Sequence, residues 1–150
     1  MKLFKSSCIS IFFVLIFMHV SWAQTGAVQI NLSEQDPYGQ FLVDGQGKSL
    51  YLFLKDSSVT SSCYDDCAVA WPPVLTSNEN ITAGEGVQSS LLGTIKRNDG
   101  SLQVTYNSHP LYYYEDDKKA GDVEGQDKDD YGAEWYLVKP DGEKMGDVEK

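Results

Sequence analysis

One pattern occurs twice in this chain, and it limits what the chain can fold into. A run that reads Leu-Tyr-x-aromatic-x-x-Asp begins at Leu50 and again at Leu111, and each run is followed, after a spacer, by Trp-x-x-Val. The matching pairs are Tyr51 with Tyr112, Phe53 with Tyr114, Asp56 with Asp117, Trp71 with Trp135 and Val74 with Val138. Repetition on this scale indicates two copies of one supersecondary unit packed on each other, because a single half would leave its aromatic face uncovered.

The rest of the sequence reads as short strands between turns, which predicts an all-β, mostly antiparallel fold. The predicted strands cover residues 27–32, 38–43, 50–54, 91–97, 102–106, 111–114 and 135–138. Two hairpins are expected, with turns at residues 44–47 and 98–100, because Asp-Gly accepts the positive φ angles of tight turns. The polar stretches 76–86 and 116–134 are predicted to be loops.

The third predicted strand is expected to lie in the centre of the fold. A period of two places three leucines on one face and two aromatic residues on the other, namely Leu50, Leu52 and Leu54 against Tyr51 and Phe53. Both faces are apolar, so we expect the strand to be covered on both sides.

The first 23 residues have the features of a secretory signal peptide. Lys2 and Lys5 precede an apolar run at residues 9–20, and Ser21-Trp22-Ala23 is a small-x-small cleavage site. The run is shorter than the roughly 20 residues that a membrane span needs, and a retained N-terminal anchor is the alternative. The sequence therefore predicts a mature chain that begins at Gln24 and is exported to the periplasm or beyond.

The charge of the mature chain limits its partners. Removing Lys2 and Lys5 changes the formal net charge from −10 to −12, because residues 1–23 contain no acids. Such an acidic surface repels nucleic acid and anionic lipid headgroups. We therefore expect no nucleic-acid partner and, after cleavage of the signal peptide, no membrane span.

Two cysteines remain in the mature chain, and we expect them to form a disulfide. Cys63 and Cys67 are an even number of cysteines in a chain predicted to be exported, and such cysteines usually pair. Ser62 with Asp65 resembles a capping box, so a short helix is predicted to carry both cysteines before Pro72 ends it. Residues four apart on a helix lie within disulfide reach. The fold prediction is thus two β pseudo-repeats in one small domain, with one short disulfide-pinned helix.

The repeated motif resembles a known family, the bacterial secreted-repeat proteins, which are often lipoproteins and carry a Y-x-[FWY]-x-x-D motif. The residues that match the motif are Tyr51, Phe53 and Asp56, and again Tyr112, Tyr114 and Asp117. One departure is that no lipid-anchor Cys follows the apolar run. The resemblance implies an envelope or secreted location and no established activity.

The expected organisation of the chain has three parts. Residues 1–23 are the signal peptide, residues 24–143 are the secreted-repeat β domain, and residues 144–150 are a flexible tail. The two halves of the domain are expected at about residues 38–76 and 91–142.

We expect a non-enzymatic binding or interaction module without a cofactor, because no Ser-His-Asp order, facing carboxylate pair or phosphate loop is evident. The candidate ligand-binding residues are Tyr51, Tyr112, Trp71 and Trp135, which would line a groove between the repeats. The partner would be an unknown envelope protein or a small ligand. The alternative is that these rings form the core of a small β domain.

Two metal hypotheses stand beside this one. Cys63, Cys67 and His109, the only mature histidine, could bind copper or carry out redox chemistry, because thiolates suit Cu(I). Carboxylates in the acidic loop at residues 116–130 could bind calcium in a structural role. That loop is not an EF-hand, because the twelfth position counted from Asp127 is Val138 rather than Glu.

Overall fold

A computed structural model of the chain describes residues 27–146, so the predicted signal peptide lies outside the described residues. Ten strands and one α-helix make up the fold: β1 Val28–Gln35, β2 Gly39–Asp44, β3 Tyr51–Phe53, α1 Asp66–Ala70, β4 Leu75–Thr76, β5 Ile81–Ala83, β6 Leu92–Lys96, β7 Leu102–Tyr106, β8 His109–Pro110, β9 Lys128–Asp130 and β10 Ala133–Leu137. The prediction of a mostly antiparallel β fold with one short helix is confirmed. No helix within the described range is both long and apolar enough to cross a bilayer.

The strands form three sheets. One sheet has the order β2-β1-β5, a second β3-β10-β9, and a third β4-β7-β6, with β8 on β7. All strand pairs are antiparallel except β1 with β5, which is parallel. The hairpin β6–β7 forms as predicted, with Lys96 opposite Leu102.

The two halves of the chain meet around a local pseudo-twofold axis. Tyr51 and its repeat equivalent Tyr112 exchange both backbone hydrogen bonds, at 2.9 and 3.0 Å. The same symmetry appears further out, where the Leu54 N–H donates to Glu134 C=O at 3.0 Å and the equivalent Glu115 N–H donates to Ala70 C=O at 2.8 Å. Each repeat therefore completes the other.

The hairpin predicted between β2 and β3 is only partly correct. The turn at residues 44–47 forms, and Val43 bridges Ser49. Beyond that bridge the strands separate, because β2 pairs with β1 and β3 pairs with β10. The physical reason is that β3 is apolar on both faces, so it lies between two parts of the core, with Leu137 of β10 opposite Tyr51 on one side and Tyr112 bridging Tyr51 on the other.

The core consists of two clusters that lie on opposite sides of β3. Tyr51 and Phe53 belong to a cluster of mainly aromatic residues, and Leu50 and Leu52 belong to a mainly aliphatic one. This confirms that β3 is covered on both faces. Leu54 is an exception, because it follows the end of the strand and is 42% exposed.

Two predicted local features differ from the structure, and a third is confirmed. The predicted loops contain two short strands: β5 pairs with the distant strand β1, and β9 pairs with the next strand, β10, across a two-residue turn. The helix begins at Asp66 rather than near Ser62, whose hydroxyl donates to Asp56 at 2.7 Å instead of capping the helix. Cys63 and Cys67 are joined as predicted, with their Cα atoms 5.2 Å apart, but only Cys67 lies in the helix predicted to carry both.

The segment predicted to be a flexible tail is packed at its start. Lys144 forms a bridge with Val138, and Met145 is 5% exposed with its N–H donating to Leu137 C=O. Met145 fills a position in the mainly aromatic cluster, and no pattern in the sequence of the tail predicts this. Residues 147–150 lie outside the described residues.

Candidate functional site

The tyrosine and aspartate of each motif bond across the pseudo-twofold axis. Tyr51 Oη donates to Asp117 Oδ2 at 2.7 Å, and Tyr112 Oη donates to Asp56 Oδ2 at 2.6 Å. Each tyrosine of one repeat thus holds the aspartate of the other. Burial, followed by the neighbouring carboxylate, raises the pKa of both phenols, so both stay protonated and act as donors.

The aromatic residues of the motif stack in the same crossed way. Ring centroids lie 3.9 Å apart for Phe53 and Trp135, 4.0 Å for Trp135 and Trp71, and 4.2 Å for Trp71 and Tyr114. We call these four rings the aromatic stack. Phe53 of the first repeat covers the tryptophan of the second, and Tyr114 of the second covers the tryptophan of the first.

The four residues predicted to line a ligand groove are brought together but form no groove. Tyr51, Tyr112, Trp71 and Trp135 each have 0% exposure. Tyr51 packs edge-on against Trp71 at 5.5 Å, and Tyr112 packs edge-on against Trp135 at 5.1 Å. The repeats bury these rings to hold each other, so a ligand could reach them only by displacing core.

A buried cation supports the first repeat. Arg97 is 4% exposed and donates to Ser61 Oγ at 2.9 Å, to Gln103 Oε1 at 2.6 Å and to Cys63 C=O at 2.7 Å. Sequence reasoning missed this residue. The signal was that it is the only arginine in the sequence, and arginine suits a buried fork of several acceptors better than lysine does.

Asp56 is well supplied with donors. Besides Tyr112 Oη, it accepts the Ser62 N–H and hydroxyl, both at 2.7 Å. Burial raises the pKa of Asp56, while these hydrogen bonds and the charge of Arg97 act in the opposite direction.

Asp117 has a poorer environment. It is 5% exposed and accepts Tyr51 Oη and the Glu124 N–H, the latter at 2.9 Å. No basic side chain in residues 27–146 forms an ion pair with it, and Asp122 and Glu124 are the charged neighbours. Burial, together with these like charges, raises the pKa of Asp117 to about 6.

The structure does not assemble the proposed metal ligands. Cys63 and Cys67 are bridged, and His109 lies in β8 opposite Tyr106. In the part of the chain that the structure describes, no three His, Cys, Asp or Glu side chains are grouped so as to hold a metal ion. In the acidic loop, the Asp122 carboxylate accepts the backbone N–H of Lys118 and of Lys119.

Exposed side chains, three of them apolar or aromatic, lie on α1 and on the segments bonded to it. Tyr131 is 44% exposed, its Oη donates to Asp66 C=O at 3.3 Å, and its own C=O accepts Lys55 Nζ at 3.1 Å. Leu54, next to Lys55, is 42% exposed, and Val69, on the same helix as Asp66, is 69% exposed. We call the set Leu54, Lys55, Asp66, Val69 and Tyr131 the α1 face.

The comparisons with known proteins agree with the repeat. A family described as a secreted repeat of unknown function matches residues 34–75 and 93–139, which together are more than half of the chain. No curated protein and no solved structure matches the chain. The resemblance drawn from the tyrosine and aspartate motif is therefore confirmed, and the chain belongs to this family of secreted repeats of unknown function.

Proposed function

We propose that this chain is a non-enzymatic binding module that acts outside the cytoplasm, in the periplasm or beyond, and contacts an envelope protein through the α1 face. The family description as secreted supports the location. The motif residues support a structural rather than a catalytic role, because their hydroxyl and carboxylate groups bond to each other inside the core.

The observation that carries the proposal is the placement of Tyr131. It occupies the first position of the two-residue turn between β9 and β10, with φ of 59°, and Gly132 follows with φ of 88°. Asn, Asp or Gly is the usual residue at such a position, because a bulky side chain is strained there. An exposed aromatic that is kept in a strained conformation suggests a contact role.

The charges around the α1 face indicate the chemistry of the partner. Asp129 and Asp130 lie in the adjoining strand β9, and Asp65 and Asp66 lie at the start of α1, whereas Lys55 is the one basic residue of the α1 face. Exposed Leu54, Val69 and Tyr131, with acidic residues in excess around them, fit a partner surface that has apolar side chains and a net basic rim. Such binding weakens as the salt concentration rises. A small ligand is the alternative partner.

Site-specific crosslinking tests this proposal. A photo-crosslinking amino acid is placed at position 131 in exporting cells, with position 75 as the matched control, because Leu75 is 48% exposed but lies in β4 of another sheet. We expect a discrete covalent adduct from position 131 and none from position 75.

The captured protein is then purified and titrated against variants. We expect Tyr131→Ala to weaken binding by about tenfold or more, as for an aromatic at the centre of an interface, and Leu75→Ala to leave it unchanged. Equal crosslinking at both positions would contradict the proposed face. An affinity that Tyr131→Ala leaves unchanged would contradict it as well.

A further inference from the structure

We propose that the outer edge of β6 accepts an extended peptide of a partner protein as an additional strand. The inference rests on the proposed function only in treating the chain as a binding module. It assigns a second surface, in a different sheet from the α1 face.

β1 and β6 occupy equivalent positions in the two repeats. Each strand forms an antiparallel hairpin with the next one, β1 with β2 and β6 with β7. The partners are held alike, because Leu42 N–H donates to Val138 C=O at 2.9 Å and Val104 N–H donates to Val74 C=O at 2.8 Å. β1 and β6 are therefore the corresponding outer strands.

The two outer edges differ in what covers them. β5 of the same chain pairs in parallel with β1 along Val28–Ile30. β6 is the last strand of its sheet, and no strand within residues 27–146 pairs with its other edge. The fold thus shows that an outer edge of this unit accepts a short added strand, and within residues 27–146 the second edge has no paired strand.

The backbone of β6 is oriented to receive such a strand. Val104 uses its N–H for Val74 and its C=O for Leu111, both on the side away from β6. Val104 and its partner Thr94 are therefore a non-hydrogen-bonded pair, so the N–H and C=O of Thr94 point outward from the sheet. An added strand forms its hydrogen bonds with outward-pointing backbone N–H and C=O groups of this kind.

A groove runs along this edge and would hold the side chains of the added strand. Its volume is about 410 Å³, and it is lined by Glu79, Ile81, Ser89, Leu92, Gly93 and Thr94. Ile81 and Leu92 supply apolar walls, which suit alternate apolar side chains of an extended peptide.

Charge decides between the possible occupants. A second copy would bring another chain of formal charge −10 or lower to this edge, which like-charge repulsion opposes. Glu79 is exposed at the groove and complements a basic side chain. The structure thus assigns the edge to a peptide that alternates apolar and polar residues and carries a Lys or Arg that reaches Glu79.

The decisive variant is Thr94→Pro, with Thr94→Val as its matched control. Proline removes the outward N–H without breaking a bond to β7, and an edge strand tolerates it on that side. Valine keeps the N–H. Circular dichroism and thermal melting establish that both variants are folded. Glu79→Lys, an exposed change that leaves the strand intact, is the second variant in case Thr94→Pro unfolds the protein.

The probe is a library of random heptapeptides displayed on phage, and the strongest sequence is then synthesised and titrated by fluorescence anisotropy. We expect enriched peptides in which apolar and polar residues alternate and that contain a basic residue. The selected peptide should bind Thr94→Pro and Glu79→Lys at least tenfold more weakly than the parent chain. It should bind Thr94→Val as tightly as the parent chain. Tyr131→Ala is expected to have no effect on this peptide.

Four results would overturn the proposal. One is that no peptide is enriched, and another is that the enriched peptide binds Thr94→Pro and Glu79→Lys as tightly as the parent chain. The third is a dimer, seen by light scattering, that Thr94→Pro abolishes, because it would assign the edge to a second copy. A peptide that is lost with Tyr131→Ala instead would overturn this inference while supporting the α1 face.

Discussion

The two repeats share one clasp but surround it differently. Asp56 bonds to Tyr112 and Ser62 and lies near the buried Arg97, whereas Asp117 bonds to Tyr51 and one backbone N–H in an acidic loop. The shared part is what the repeats need to hold each other. The difference shows that the duplicated motif determines the position of each carboxylate. The hydrogen bonds and charges that offset its desolvation come from the neighbouring loop, which differs between the repeats.

The tryptophans show a second difference. Trp135 Nε1 donates to Asp130 C=O at 3.1 Å, while Trp71 Nε1, also buried, finds no acceptor among residues 27–146. Trp71 is instead attached next to the disulfide, because its backbone N–H donates to Cys67 C=O at 2.7 Å. The first repeat therefore holds its tryptophan segment with a covalent bond, and the second holds it with a hydrogen bond.

The largest expected effect is loss of a central ring from the aromatic stack. We expect Trp71→Ala and Trp135→Ala each to reduce the free energy of unfolding by about 3 to 5 kcal/mol, because both rings are fully buried at the axis. Chemical denaturation followed by circular dichroism measures this. The exposed Tyr131→Ala is the control, with an expected change within about 0.5 kcal/mol. A loss below about 1 kcal/mol for either tryptophan would mean that the stack does not hold the repeats together.

The next test separates the two clasps. Tyr51→Phe leaves Asp117 with only the Glu124 N–H, whereas Tyr112→Phe leaves Asp56 with both groups of Ser62. A hydrogen bond to a charged group contributes about 1.5 to 3 kcal/mol. We expect Tyr51→Phe to lie at the upper end of this range and Tyr112→Phe at the lower end, measured by denaturation at pH 7. Equal losses would show that the local environments do not matter.

The repeat, the strand faces and the disulfide could be predicted because each has a local signature. The spacing of the matching aromatic residues reveals the duplication, and the period of two in β3 reveals its two buried faces. Cys63 and Cys67 are close in sequence in an exported chain, so few alternatives exist for their pairing.

The partners of the strands could not be predicted in the same way. β3 and β10 are separated by about 80 residues, and periodicity says which side chains face the core but not which strand lies alongside. For the same reason, the motif gave no indication that Tyr51 would bond to Asp117 rather than to Asp56 of its own repeat. The polar strand β9 was missed because its side chains are mostly exposed and its pairing alone makes it a strand.

Removing the disulfide tests how much the covalent bond stabilises the tryptophan segment of the first repeat. Cys63→Ala with Cys67→Ala is expected to reduce the free energy of unfolding by about 2 kcal/mol, because the bridge spans only four residues and closes a small loop. Reduction of the parent chain with a phosphine is the control and should give a similar loss in thermal melting. A loss near zero would mean that Arg97 and the aromatic stack hold this segment without the bridge.

The smallest expected effect is a dependence of stability on pH that belongs to the second repeat. The pKa of Asp117 is raised to about 6 in the folded chain from an ordinary value of 3.8. Between these two values the folded state binds the proton more tightly than the unfolded state does, so this group contributes stability in full below about pH 4 and loses it as the pH rises through about 6.

Asp117→Asn isolates that contribution from the other carboxyl groups. The difference in unfolding free energy between the parent chain and Asp117→Asn should change by roughly 1 kcal/mol between pH 4 and pH 7, less than the shift alone implies because solvent and salt screen the charge. The matched change Asp56→Asn should give a smaller dependence, because Ser62, Tyr112 and Arg97 favour the ionised form. If Asp56→Asn shows the larger dependence, the uncompensated carboxylate lies in the first repeat and the assigned difference between the two repeats is wrong.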